Sequence, residues 1–509
     1  MDWKQLQNDV RQGTADPKRV LEALDIGQAA TAVVDCQKRQ IRQLQTQVAQ
    51  LQERVGQYEK TPTPSDPTVD YSLGTEEERR ANQKRKRKKK QKSPRRGRRP
   101  LAMKRELVQP GDWEDIYPDD AQPADCVFVR ERVVWRLVGE KAVLKGYRLH
   151  RRRGQSAAAT VPGVLPRSEY GFEIVALLAY LLFVVRVSLD KACDLLQFFC
   201  SLPLKKSQAN ALLNQLARHW EPEFDALCEL LVLARIVYMD ETSWKIGKDG
   251  CSLWVFLTCM HTVLLFGCRK DGATLDKMLP PDLFEGIGVS DDAAVYGRRF
   301  CEAQKCWGHL LRKAVKLHLL YPEKTVYTQY LDSLVEIFRR AQQAREDGRL
   351  SEAGREKKVS ELHDALWYAA EPHQHIWENP RTPDEKTFSN LVREIFRLVE
   401  ADELFTFVRH PEVEPTNNVS EREIRDPALD RDACRTSKSQ WGAHRRSIVQ
   451  SVLASLKKQL ATFTLASVVA EAMRWLTTGV SRFREQLAAA KAALSSPTSA
   501  AESTLELSG

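Results

Sequence analysis

Three acids stand where metal-dependent chemistry would need them. The run Ile236-Val237-Tyr238-Met239-Asp240-Glu241-Thr242 ends an apolar, β-type segment in two adjacent carboxylates. A second strand-like run, Gly286 to Ser290, leads into Asp291-Asp292, and Glu421 follows Asn417-Asn418-Val419-Ser420 at the start of a helical segment. A carboxylate at the end of a buried strand is costly unless it is paired or binds a cation. Three such groups, from two strands and a helix, could hold two Mg²⁺ or Mn²⁺ ions about 3.5–4 Å apart and drive an in-line phosphoryl displacement. Hard oxygen donors suit those ions rather than zinc. An aspartate at a strand end also forms turns and caps helices, so spacing alone leaves both readings open.

The elements that must position these acids are legible in outline. Arg235 to Met239, Leu253 to Met260, Val263 to Cys268 and Gly286 to Ser290 predict a hairpin-rich sheet whose short gaps favour antiparallel pairing. Residues 303 to 405 and Ser420 to Ala490 predict helices. Upstream, Val127 to Arg130 and Val133 to Leu137 read as two short strands, followed by a basic patch at Arg148 to Arg153. Residues 166 to 230 read as helical. Within them Leu189 to Phe199, a break at Cys200 to Leu204, and a helix from Ser207 to Trp220 form a helix-turn-helix candidate, with Lys205 and Lys206 on a phosphate-facing side. A helix pair in a plain bundle gives the same pattern. The fold class expected is mixed α/β, of α+β character.

The N-terminal part has a different texture. Val34, Ile41, Val48 and Val55 alternate with Leu44, Leu51 and Tyr58 at heptad spacing, which favours a parallel two-stranded coiled coil, although a lone amphipathic helix packed on the body gives the same pattern. Three prolines between Pro62 and Pro67 make a linker. Lys84 to Arg99 then holds twelve basic residues and no acid, so the net charge of +10 is local: the remaining 66 basic residues face 68 acidic ones. Lys84, Arg85, Lys86, Arg87 and Lys88 form one basic cluster. Arg95, Arg96, Arg98 and Arg99 flank Gly97 in the manner of an AT-hook, which lies in a narrow A·T minor groove. A basic tether binding phosphates without sequence preference reads the same way.

Bulk features narrow the classes further. At 509 residues about three domains are expected. Eleven cysteines include no Cys-x-x-Cys pair, against a zinc knuckle, a redox site or a planned disulfide set. The N-terminus is polar, with no secretory signal, and the longest apolar run, Ile174 to Val185, is too short to span a bilayer. A soluble protein in a reducing compartment is expected.

Four ordered segments resemble the insertion-sequence sixty-six family of bacterial DDE-type transposases. Met239-Asp240-Glu241-Thr242 is similar to the motif at the family's first catalytic aspartate, and Ser290-Asp291-Asp292-Ala293-Ala294-Val295-Tyr296 to the second. Cys306-Trp307-Gly308-His309 resembles its Cys-Trp-Ala-His helix start, and Asn417-Asn418-Val419-Ser420-Glu421-Arg422 its Asn-Asn-x-x-Glu-Arg motif. The resemblance spans about 165 to 480. It implies an RNase H-like core, Asp240, Asp291 and Glu421 as catalytic metal ligands, and a DNA transposase acting at element ends and target. Asp291 is preferred to Asp292 for its spacing to Tyr296, whereas Glu241 points to the other face of the strand. Arg422 and Arg425 could hold phosphates, or pair with Glu421 and Glu423. Cys306, Trp307 and His309 read as packing and hydrogen-bonding residues, and His373 and His375 as surface residues.

The chain departs from the family where a cysteine-rich zinc module usually stands: Cys126 is alone and Arg151-Arg152-Arg153-Gly154 sits in its place, so no zinc is expected. Thr416 replaces a usual Asp, and Asp292-Ala293 a usual Gly-Tyr. The implied layout is a coiled-coil dimerisation segment (1–60), a basic linker (61–109), a small mixed DNA-binding segment (110–165) and a helical region (166–232). The catalytic core (233–302 with 406–490) is split by a helical insertion (303–405), and a disordered tail follows (491–509). Double-stranded DNA, a homodimer or higher oligomer, and element-encoded helper proteins are the implied partners, without a membrane, at the cytoplasmic nucleoid. A domesticated DNA-binding protein without activity is the alternative.

Overall fold

The computed structural model describes residues 105–495 apart from Lys248, Arg298 and Cys434. They fall in a unit running from Arg99 to Gly509. The coiled coil, the linker and the basic run at Lys84 to Arg99 lie outside the described residues.

A three-stranded sheet comes first: β1 (Trp113–Ile116), β2 (Cys126–Val138) and β3 (Lys141–Arg152), in the order β1-β3-β2. The two short strands expected between Val127 and Leu137 are one strand. A bulge lets it continue: the register skips Val129, with Phe128 opposite His150 and Arg130 opposite Leu149. The Arg148–Arg153 patch falls largely on β3.

Three helices follow: α1 (Phe172–Phe183), α2 (Leu189–Cys200) and α3 (Lys206–Val232). Ser188 caps α2, accepting from the Lys191 amide at 3.3 Å, and Ser201 ends it in the left-handed region at φ +55°. The second helix of the pair does not stop at Trp220. It runs through Pro222, because Leu216, Trp220, Leu227 and Leu231 keep one apolar face in the core.

The five-stranded sheet comprises β4 (Ile236–Ile246), β5 (Asp249–Leu257), β6 (Thr262–Cys268), then, after α4 (Gly272–Met278), β7 (Ile287–Ser290) and β8 (Glu302–Lys305). Its order is β6-β5-β4-β7-β8. The first three strands pair antiparallel as expected, but β4–β7 and β7–β8 are parallel. The sheet is therefore mixed, because α4 and its flanking loops carry the chain back before β7 begins.

A helical block follows: α5 (Trp307–Leu320), α6 (Thr325–Glu346), α7 (Glu352–Ala370), α8 (Gln374–Trp377), α9 (Pro383–Glu400) and α10 (Thr406–Arg409). The chain closes with α11 (Asn418–Asp432), α12 (Gln440–Gln459), α13 (Leu465–Thr478) and α14 (Arg482–Ser495). α14 carries order past residue 491, where the disordered tail was expected to begin. His373, expected at the surface, is buried near the Phe388 ring.

Strand alternation splits the core in two. Val237, Met239, Trp254, Phe256 and Val263 pack with α1, α3 and α12. Tyr238, Val255, Leu257, Leu264 and Val289 pack with α5, α6 and α9. The result is three layers, helix on sheet on helix. Among the described residues, no helix is long and apolar enough to cross a membrane.

The free edge of β6 is closed by serines. The amides of Thr262, Leu264 and Phe266 donate to Oγ of Ser455, Ser451 and Ser447 at 3.0, 2.9 and 2.9 Å. Ser455 donates back to Thr262 O at 3.1 Å. Serines four apart on a helix rise about 6 Å, close to the roughly 6.6 Å of two strand residues, so helix and strand stay in step and no edge is left for another chain. Ser451→Ala removes only the hydroxyl and strands the Leu264 amide. It is expected to cost about 1–3 kcal/mol, read as a lowered urea midpoint; an unchanged midpoint would show that the serine ladder adds no stability.

Candidate active site

Asp240 lies inside β4, not at its end: the strand runs six residues further, and Asp240 sits opposite Val255. What ends is its other neighbour. β7 pairs with β4 only at Ile236, Val237 and Tyr238, so at Asp240 no strand lies on that side of β4; pairing resumes only where Ser437 meets Ile246. Asp291 emerges from β7 just beyond this point, turned back so that its Oδ1 accepts the Ala293 amide at 3.0 Å.

Glu421 occupies the first turn of α11. Asn417, 1 % exposed, fastens that helix start to the sheet: its Nδ2 donates to Met239 O at 2.6 Å and its amide donates to Cys306 Sγ at 3.2 Å. Cys306 in turn donates its amide to Ser290 O at 3.0 Å. One buried cysteine and one buried asparagine thus tie together the three elements that carry Asp240, Asp291 and Glu421.

The acids feel one another. Burial pushes the Asp240 carboxyl up to about 7, and the negative charges of Glu241, Asp291 and Glu421 add to the rise, opposed by the Glu241 amide at 2.8 Å. Glu241 faces the other core, as alternation requires. Its side chain is 3 % exposed and is held by Lys270 and the Tyr296 hydroxyl; Tyr296 is itself buried. Asp292 is taken by Arg397, which leaves Asp291 as the acid free to join the cluster. Behind it Lys305, 2 % exposed, donates to Ser290 Oγ at 3.1 Å, and burial lowers its pKa.

Glu421 accepts from Arg312 at 2.6 Å, and His309 Nδ1 lies 3.8 Å from the same oxygen. Glu421 lines a cleft of about 670 Å³ with Glu414, Thr416, Asn418, Val419, Arg422 and Arg425. Arg422 and Arg425 are exposed there and form no ion pair with Glu421 or Glu423; Arg312 takes that role. Trp307 is core, donating to Leu404 O at 2.8 Å. Lys205 and Lys206 stand at the start of α3, outside this cleft.

The donor set fits hard divalent cations. Three carboxylates offer oxygen ligands, two of them acting on the charge of Asp240, and Asn417 adds a buried Oδ1 without a partner among the described residues. Cys306 Sγ, His309 and Glu421 also lie within 4.8 Å of one another. Burial raises the Cys306 thiol, however, and the thiolate is the form that ligates metals.

A family model described as Transposase IS66 family matches residues 167–445. The chain belongs to the IS66 transposase family. No curated protein matches it. The match takes in Asp240, Asp291, Cys306 and Glu421, and is narrower than the 165–480 span of the resemblance. β1–β3, α13 and α14 of this IS66-family chain lie outside it. Asn417 stood inside a quoted motif, but its role as a fastener was not legible. Arg312 lay one turn beyond His309, and Lys270 and Lys305 carried no sequence signal.

Proposed function

We propose that this chain is the enzyme that cuts and rejoins DNA at the ends of an insertion element, with Asp240, Asp291 and Glu421 as its catalytic, metal-ligating acids. The observation that carries the reading is the fastening of β4, β7 and α11, the elements that carry these acids, through Asn417 and Cys306. The strand order supports an RNase H-like core: three antiparallel strands, then two parallel ones. On this reading α5 to α9 form an insertion between the second and third acids.

Two Mg²⁺ or Mn²⁺ ions suit the oxygen donors, and when bound they supply the Lewis acidity that phosphoryl displacement needs. The chain's own residues do the rest. Asp240 gives up the proton that burial favours. Lys270 and Tyr296 hold Glu241 away from ligation, and Arg312 orients Glu421 until a cation competes for it. Arg422 and Arg425 line the cleft beside Glu421 and suit phosphate oxygens. The partners are duplex element ends and target DNA, and a second copy of the chain through the N-terminal heptads.

The test uses the full chain, Mg²⁺ and a duplex bearing the inverted repeats that flank the gene. Asp291→Asn and Glu421→Gln are each expected to lower end cleavage and strand transfer by about 10³-fold or more with unchanged folding. Cleavage at the wild-type rate by either variant would overturn the assignment.

A further inference from the structure

We propose that the groove between α3 and the segment joining α11 to α12 is a second DNA-strand site, one that grips backbone phosphates away from the point of cleavage. The inference rests on the DNA-transposase reading and deepens it. The groove holds about 810 Å³, and its walls carry five basic side chains against two carboxylates.

Three of those bases are already spent, Arg435 among them at 4.0 Å from Asp430. Lys206 pairs with Asp190 at 2.6 Å, and Arg446 is buried on Asp430. Lys438 is exposed and has no ion pair or hydrogen bond among the described residues. Arg445 has no carboxylate partner among them either. Its guanidinium donates to Asn210 Oδ1 at 2.7 Å and Asn214 Oδ1 at 2.8 Å, and its Nε is buried without a partner. Two neutral amides thus aim a guanidinium that no carboxylate among the described residues neutralises, and phosphate is the complementary group. Trp441 is 38 % exposed on the same wall, oriented by its own bond to Asn214 Oδ1 at 3.1 Å. An exposed aromatic beside free cations is a surface for stacking a base.

The sheet sets the distance from the acids. The Gly247 amide donates to Ser437 O at 2.9 Å, and Trp244 Nε1 to Ser437 Oγ at 3.3 Å. The groove wall therefore runs beside the end of β4, six residues beyond Asp240. At about 3.3 Å per strand residue that is roughly 20 Å, or about six nucleotides at 3.4 Å each.

The experiment uses the full chain carrying Asp240→Asn, without divalent cation, and an end-labelled duplex bearing the flanking inverted repeat, with the matching single strand as a second arm. Lys438→Ala is expected to weaken binding about 3–10-fold and to reduce the slope of log K against log salt by about 1. Trp441→p-benzoylphenylalanine is expected to crosslink about six nucleotides from the cleavage position. Crosslinking of the duplex assigns the groove to the paired end, and of the single strand alone to an unpaired strand. If the parent chain binds but Lys438→Ala changes neither affinity nor slope, and the probe crosslinks no more than one placed at exposed Tyr368, the groove assignment is wrong while the transposase reading stands. If the parent binds neither DNA, both fail.

Discussion

Asp240→Asn is expected to abolish DNA cleavage, by about 10³-fold or more, and at the same time to make the metal-free chain more stable. The sign follows from linkage. Burial and three neighbouring acids raise the Asp240 carboxyl to about 7 in the folded chain, against about 3.9 unfolded. Between those values the folded state binds more protons than the unfolded one, so stability falls as pH rises from about 4 to about 7. Asparagine removes the charge but keeps the shape, and the loss disappears. Because Asp240 is partly solvated, the gain at pH 8 is about 1–3 kcal/mol rather than the whole shift. Thermal melts of both chains at pH 5 and pH 8, without divalent cation, check this: the variant should gain at pH 8 and little at pH 5. A variant that melts lower at pH 8 would mean that Asp240 is not electrostatically strained.

Asn417→Ala is expected to have the next largest effect. It removes the bond from Nδ2 to Met239 O, leaving a carbonyl without its partner in a site that is 1 % exposed. The stability cost is about 1–3 kcal/mol. The larger loss should be in activity, about 100-fold, because α11 then carries Glu421 without a fixed distance to β4. Asn417→Asp separates the two effects. It keeps the side-chain volume but exchanges the donor for a second acceptor facing Met239 O, so activity should fall as far as in the alanine variant. Cleavage by the aspartate variant at the wild-type rate would show that this bond does not position Glu421.

Much of the candidate site was legible in one dimension. Asp240 and Asp291 stand out because a carboxylate after an apolar run is costly unless something compensates it, and Glu421 through its resemblance to the family's Asn-Asn-x-x-Glu-Arg motif. Alternation placed Glu241 on the opposite face, where Lys270 and Tyr296 hold it. Partners distant in sequence left no such trace. Arg312 reaches Glu421 across 109 positions, and Asn417 reaches Met239 across 178. The serines of α12 looked like ordinary polar positions, and only the free edge of β6 gives them a use.

Residue types and periods decided the elements, the faces and the acids, because solvation and backbone geometry act over a few residues at a time. Strand direction, the early end of β7 that uncovers Asp240, and the convergence of three acids were decided only by tertiary packing. They depend on which strand lies beside β4 and on how α5 to α9 return the chain to it, and contacts between segments so far apart are set by the shared core rather than by local sequence.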